Sequence, residues 1–286
     1  MNLLTRVLAG WSRRRTGHQV PSRTSQAVAL ARAGFSRPHT PDGDPDAQRR
    51  LCAGMRPADI GPMRHSLAAR TRFFDQQVLA AIDAGVAQVV IVGAGYDDRG
   101  LRFRVPGVRF FEVDHPATQS DKASRLREMT ASIGDLTLAA ADFRTDDVAC
   151  VLSACGHDAA RPSLFVCEGL LVYLDGDTGI RLLAGLRARA APGSTLAVSL
   201  AAHRPGIASE QAVTVANARR RTAYAEPWLT IRPADAYPGF LDQAGWRIDE
   251  AVDASRLDAG VPAGRSLLVT AHPRNAEADP ADRGRG

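Results

Sequence analysis

Hydrophobic positions along the chain form short unbroken runs separated by amphipathic stretches. Leu67, Phe74, Val78 and Ile82 recur at spacings of 7, 4 and 4, which predicts a helix with one apolar face, closed by Gly85. Gln88-Val89-Val90-Ile91-Val92 then shows no alternation of polar and apolar positions, the mark of a strand buried on both faces of a parallel sheet. Further strands are predicted at 108–113, 136–141, 163–167, 195–200, 246–252 and 266–271. Helices are predicted at 178–191, with Asp175 and Asp177 as capping candidates, and at 234–244. Residues 20–50 are polar and partly helical, broken by the turn-rich stretch from His39 to Pro45. Strands that alternate with helices imply an α/β doubly wound, mostly parallel sheet. Ligands of such sheets bind beyond the carboxyl ends of the strands.

The 286 residues are 45% hydrophobic and 23% charged, a globular composition. No apolar run reaches the length of a membrane span. The four cysteines form no CxxC pair, so neither a zinc site nor a disulfide framework is expected, and a reducing, cytoplasmic setting follows. Four of the five net positive charges fall in the first 20 residues, where Arg6, Arg13, Arg14 and Arg15 stand without an acid. The basicity therefore belongs to an arm, which argues against a nucleic-acid partner. The arm's apolar stretch is too short, and stands on the wrong side of its basic cluster, for a secretory leader. The expected plan is an arm at 1–19, a folded domain at 20–272 with cap elements at 20–64 and 201–236, and a disordered tail at 273–286.

The residues that follow the strands carry the candidate chemistry. Gly93-Ala94-Gly95 after the first strand allows a tight turn and close approach of a ligand. The third glycine of a dinucleotide fingerprint would fall at position 98, which is Asp98. Asp97 and Asp98 are expected to repel a pyrophosphate, which argues against a nicotinamide-dependent oxidoreductase. Of the two acids near the end of the second strand, Glu112 and Asp114, Asp114 ends the strand and is the one placed to bind ribose hydroxyls; a helix-capping or solvated acid is the other reading of each. Asp142 and Phe143 follow the third strand and could engage an adenine. Glu168 follows the fourth and could meet a cationic group. Arg70 shares the apolar face of the first long helix, and an inward arginine needs an anion, either a ligand carboxylate or a structural acid. Taken in order, these groups match S-adenosyl-L-methionine piece by piece.

The segments Ala69-Arg70-Thr71-Arg72-Phe73-Phe74-Asp75, Val92-Gly93-Ala94-Gly95-Tyr96-Asp97-Asp98-Arg99, Phe111-Glu112-Val113-Asp114-His115-Pro116, Ala141-Asp142-Phe143 and Cys167-Glu168-Gly169-Leu170-Leu171-Val172-Tyr173-Leu174 resemble the leucine carboxyl methyltransferase-like superfamily. They are most similar to its bacterial branch, which includes O-methyltransferases of polyketide biosynthesis. The likeness extends over roughly residues 24–272; Asp98 departs from it, where the family usually has threonine. It implies a Rossmann-like class I fold with a seven-stranded sheet and a helical cap. It also implies S-adenosyl-L-methionine as cofactor, with S-adenosyl-L-homocysteine as product. By the same resemblance Arg70 would hold the methionine carboxylate and Gly93 and Gly95 would line the methionine and ribose. Asp114 would take the ribose, Asp142 and Phe143 the adenine, and Glu168 would lie by the amino group.

The acceptor is then expected to be a small, acidic molecule. A carboxylate with a pKa of about 4 is already ionised at pH 7 and needs no base. A phenol would need one, and Tyr173 and His203 are placed for that role, His203 in the loop after the fifth strand. A non-catalytic binding protein would keep the fold and lose cofactor affinity.

Overall fold

The computed structural model describes residues 20–56, 61–129, 133–203, 206, 208–220 and 226–274. The basic arm at 1–19 and the tail from 275 onward lie outside the described residues. Seven strands run in the order β3-β2-β1-β4-β5-β8-β7. They are β1 (Gln88–Val92), β2 (Arg109–Asp114), β3 (Leu136–Ala140), β4 (Leu164–Cys167), β5 (Thr195–His203), β7 (Trp246–Asp253) and β8 (Ser266–Pro273). A two-residue strand, β6 (Arg232–Pro233), pairs with the end of β5. The first five pair parallel, and β8 and β7 add antiparallel. The chain winds outward from β1 to β3, then returns to lay β4 on the other side of β1. That reversal opens a crevice above the carboxyl ends of β1 and β4.

The unalternating run at β1 has a simple cause: Val90 and Val92 face one core, Val89 and Ile91 the other. The first core is covered by α7 (Gly176–Arg187), whose Leu182, Leu183 and Leu186 pack on Val90, Phe111, Phe165 and the fully buried Trp246. Asp175 caps this helix, accepting from Thr178 N at 2.8 Å. The second core is covered by α3 (Arg64–Asp83) and α5 (Pro116–Glu128), through Phe73, Phe74, Val78 and Leu126. Three further short helices are α2 (Ala47–Leu51), α4 (Arg99–Arg102) and α6 (Val148–Ala154).

Two parts of the segments expected to act as a cap take definite form. Helix α1 (Arg23–Arg32) is fastened by Ser22 N to Thr118 Oγ1 at 3.3 Å. The described residues between 201 and 236, a polar and arginine-rich stretch in sequence, hold the end of β5, helix α8 (Ser209–Arg220) and β6. The segment predicted as one helix at 234–244 divides into a 3-10 turn (Ala234–Ala236) and α9 (Tyr237–Gln243).

At the amino ends of the strands, His157 is buried against Phe111 and Phe165, with Nε2 2.9 Å from Ser163 Oγ. Burial, helped by Arg189 and Arg109, depresses its pKa from 6.5 to about 4. The folded state thus binds the proton less readily than the unfolded chain does. The associated stability is complete above pH 6.5 and is lost as the pH falls toward 4, up to roughly 3 kcal/mol. Denaturant titrations at pH 7 and pH 4.5 should show His157→Gln losing about 2–3 kcal/mol less than the wild type between the two.

Candidate active site

The residues singled out after each strand lie in one row along the carboxyl rim. In sheet order they are Asp142 and Phe143 above β3, Asp114 on β2, Gly93 and Gly95 above β1, Glu168 above β4, and His203 on β5. The glycine turn is sewn to the end of β2. Gly93 N and Ala94 N both donate to Val113 O, at 2.8 and 3.2 Å. Gly95 N donates to Asp114 Oδ2 at 2.6 Å, and His115 N to Asp114 Oδ1 at 2.6 Å. Burial raises the pKa of Asp114 even though both amides oppose the shift. Asp142 closes its own turn, accepting from Arg144 N at 3.1 Å, while Phe143 packs half-buried on the core.

Gly95 has φ +52°, and a Cβ there would come within 2.7 Å of Ser25 Cβ on α1. Helix α1 therefore lies directly on the turn. Gly95→Ala is expected to cost about 1–3 kcal/mol, through left-handed backbone and displacement of α1. Thermal melts should show Ser25→Gly recovering part of that loss in the double variant.

The acids of this rim are not free charges. Asp97 accepts from Arg99 Nη1 at 2.6 Å and lies 3.4 Å from Arg32 Nη1. Asp98 holds Arg37 through two bonds of 2.8 and 2.7 Å and Arg102 Nε at 3.1 Å. Burial would raise the Asp98 pKa, but Arg102 and Arg37 outweigh it and bring it down to about 2. Asp97 and Asp98, read from the sequence as a local negative charge, are each paired with arginines inside the protein. Asp75 on α3 joins Arg99 and Arg102 at 2.7 and 2.8 Å. Glu112 is structural, buried against Lys122, which also donates to Asp97 O at 2.6 Å.

Glu168 is the centre of this network. Its Oε1 accepts from Arg32 Nη2 at 2.5 Å and from Arg70 Nε at 2.8 Å, and its Oε2 from Arg99 Nη1 at 2.9 Å. Burial alone would raise the Glu168 pKa, but Arg32, Arg99 and Arg70 hold the carboxyl well below the ordinary carboxylate range. Gly169 makes the crossing possible, since a Cβ there would sit 3.2 Å from the Arg70 guanidinium. Six cations (Arg32, Arg37, Arg70, Arg99, Arg102, Lys122) thus face five carboxylates (Asp75, Asp97, Asp98, Glu112, Glu168). Arg70, with 24% of its side chain exposed, is the only member that reaches solvent to any extent; the others are at 7% or less.

Tyr173 closes a 3-10 turn (Leu171–Tyr173) just past Glu168 and is half-buried. His203 is not the loop histidine expected from sequence. It is the last residue of β5, 3% exposed, with Nε2 3.1 Å from Ser209 Oγ on α8. Sequence reasoning missed Arg32 and Arg99 as partners of Glu168. For Arg32 a signal was present: it follows Thr24 and Ala27 along the buried side of α1, the same pattern that marked Arg70. A separate groove of about 580 Å³, lined by residues including Arg23, Met55, Arg56 and Arg125, contains none of the rim residues.

A profile described as leucine carboxyl methyltransferase matches residues 20–187, the stretch that contains α1, the glycine turn, Asp114, Asp142 and Glu168. The chain belongs to the leucine carboxyl methyltransferase family. It is therefore a methyltransferase, and the oxidoreductase alternative falls away. Among relatives of this family member, a Parafrankia protein is 36% identical over 240 residues, covering 82% of this chain and 73% of its own. A Streptomyces coelicolor protein is 37% identical over 225 residues, covering 77% and 73%. Both are named for S-adenosyl-L-methionine-dependent methyltransferase activity. The fold of this methyltransferase is shared with a Streptomyces avermitilis DUF574 protein (TM-score 0.58, 16% identity, 89% and 98% of the two chains). It is shared also with a Thermobifida fusca protein titled a methyltransferase (TM-score 0.56, 17% identity, 90% and 96%).

Proposed function

We propose that this methyltransferase moves the methyl group of S-adenosylmethionine to a carboxylate oxygen of a small acid, of the kind found among polyketide-type natural products. The observation that carries the donor site is the Arg70–Glu168 pair, which offers both signs of charge beyond β4, with Asp114 two strands away. An amino-acid group needs that combination. Arg70, the most accessible cation of a network with one cation in excess, takes the carboxylate. Glu168 stays ionised among its guanidiniums and faces the amino group. Asp114 receives the ribose hydroxyls, Gly93 and Gly95 line the ribose and methionine, and Asp142 and Phe143 flank the adenine. The names of the relatives support S-adenosylmethionine as donor. When bound, it supplies a methyl group on a positively charged sulfur.

The work left to the protein is alignment and exclusion of water. An acceptor oxygen must stand about 3 Å from the methyl carbon, in line with the bond that breaks. A carboxylate acceptor arrives ionised, so no proton has to be moved. Helix α1, seated on Gly95, and the cap segment at 226–232 would limit the water around the reacting groups. The reading has the enzyme acting in the cytoplasm, in keeping with free cysteines at Cys52, Cys150, Cys155 and Cys167.

Product analysis with methyl-labelled donor tests the acceptor. A methyl ester releases its label in mild alkali; a product that keeps it excludes a carboxylate. The two candidate bases give an independent check. Tyr173→Phe and His203→Gln should each leave kcat within about threefold, because carboxylate methylation uses no general base. A loss of roughly 100-fold or more in either would point to a hydroxyl acceptor and a base mechanism.

A further inference from the structure

Arg232 stands apart from the arginines of the network. It lies in β6, which continues the sheet above the end of β4. Strand β4 stops at Cys167, opposite Val198, whereas β5 runs on to His203 and pairs there with β6, Ala202 opposite Arg232. The approach to β6 is tied to the turn that carries Tyr173. Leu229 N donates to Val172 O at 2.7 Å, and Thr230 Oγ1 to Leu174 O at 2.6 Å. Arg232 thus follows the segment that is tied to the turn after Glu168, and its side chain lies against the start of α7 and against α9. Its guanidinium lies 4.6 Å from the centroid of the Phe240 ring, and a Cβ at Gly176 would come within 2.6 Å of its Nη2. Among the described residues the guanidinium makes no ion pair with a carboxylate, and its Nε is buried without a hydrogen bond. A buried donor left unpaired costs about 1–3 kcal/mol, and a fork of N–H groups held by stacking is pre-set for a carboxylate.

We propose that Arg232 holds the carboxylate of the methyl acceptor and so selects acids. The proposal rests on the methyltransferase reading above and specifies its acceptor. One carboxylate oxygen stays on the guanidinium while the other attacks the methyl carbon. The carbon–sulfur bond breaks with its electron pair going to sulfur, leaving a neutral ester and a neutral thioether, and no proton is transferred. The ion pair with Arg232 disappears with the charge, which favours release of the ester.

The test uses the full chain with S-adenosylhomocysteine present, and benzoate and benzamide as probes in saturation-transfer NMR. Benzoate should bind the wild type at millimolar concentration and benzamide should not. Arg232→Met should weaken benzoate at least about tenfold, with Arg232→Lys intermediate. Calorimetry should give the same S-adenosylhomocysteine affinity for all three proteins. Equal benzoate binding by wild type and Arg232→Met, equal binding of benzamide, or no benzoate binding at all would overturn the assignment. Failure of the wild type to take S-adenosylhomocysteine would instead sink the donor site on which it depends.

Discussion

Arg99→Met should lose about 3–5 kcal/mol of stability. Arg99 is 1% exposed, and its one guanidinium bonds Asp75, Asp97 and Glu168 at 2.6 to 2.9 Å. Burial would lower its pKa, but those three acids outweigh burial and keep it charged. A methionine of similar length leaves the acids buried with less positive charge among them, and that residual charge is the source of the loss. Chemical denaturation of the wild type and the variant measures it. Arg49→Met is the control, since the Arg49–Asp46 pair is exposed at 73% and 54% and should shift nothing measurable. A loss below about 1 kcal/mol for Arg99→Met would mean that the network is far better solvated than its geometry implies.

Asp114→Ala should weaken S-adenosylhomocysteine binding by roughly 100-fold, the worth of two charge-assisted hydrogen bonds to ribose hydroxyls. Asp114 also fixes the glycine turn, through the bonds from Gly95 N and His115 N. The loss therefore combines a missing acceptor with a loosened turn. Asp114→Asn, which keeps one acceptor oxygen, separates the two and should lose about tenfold. Calorimetry reads both variants; unchanged affinity in Asp114→Ala would remove this residue from the site.

The strands were legible because burial on both faces leaves a plain sequence record. Val89 to Val92 cannot be anything but apolar when each alternate side chain enters a different core. The rim followed from topology, since the residue after each parallel strand must face the crevice. What sequence could not give was pairing. Asp97 and Asp98 read as a local negative charge, yet their partners Arg32 and Arg37 come from some 60 residues earlier in the chain. Arg70 announced itself by its place on an apolar face, but the choice of Glu168, 98 residues away, depends on how α3 packs over β4. His203 was misplaced because β5 outruns its neighbour β4. The pairing of that overhang with β6 involves only two residues, too few for any periodicity to register.

The most direct test of the donor site is a crystal structure of the chain grown with S-adenosylhomocysteine. The product should lie along the carboxyl rim, its amino-acid carboxylate on Arg70, its ribose on Asp114 and its adenine beside Asp142 and Phe143. Density for the product in the groove lined by Arg23, Arg56 and Arg125, or none along the rim at saturating product, would contradict the account.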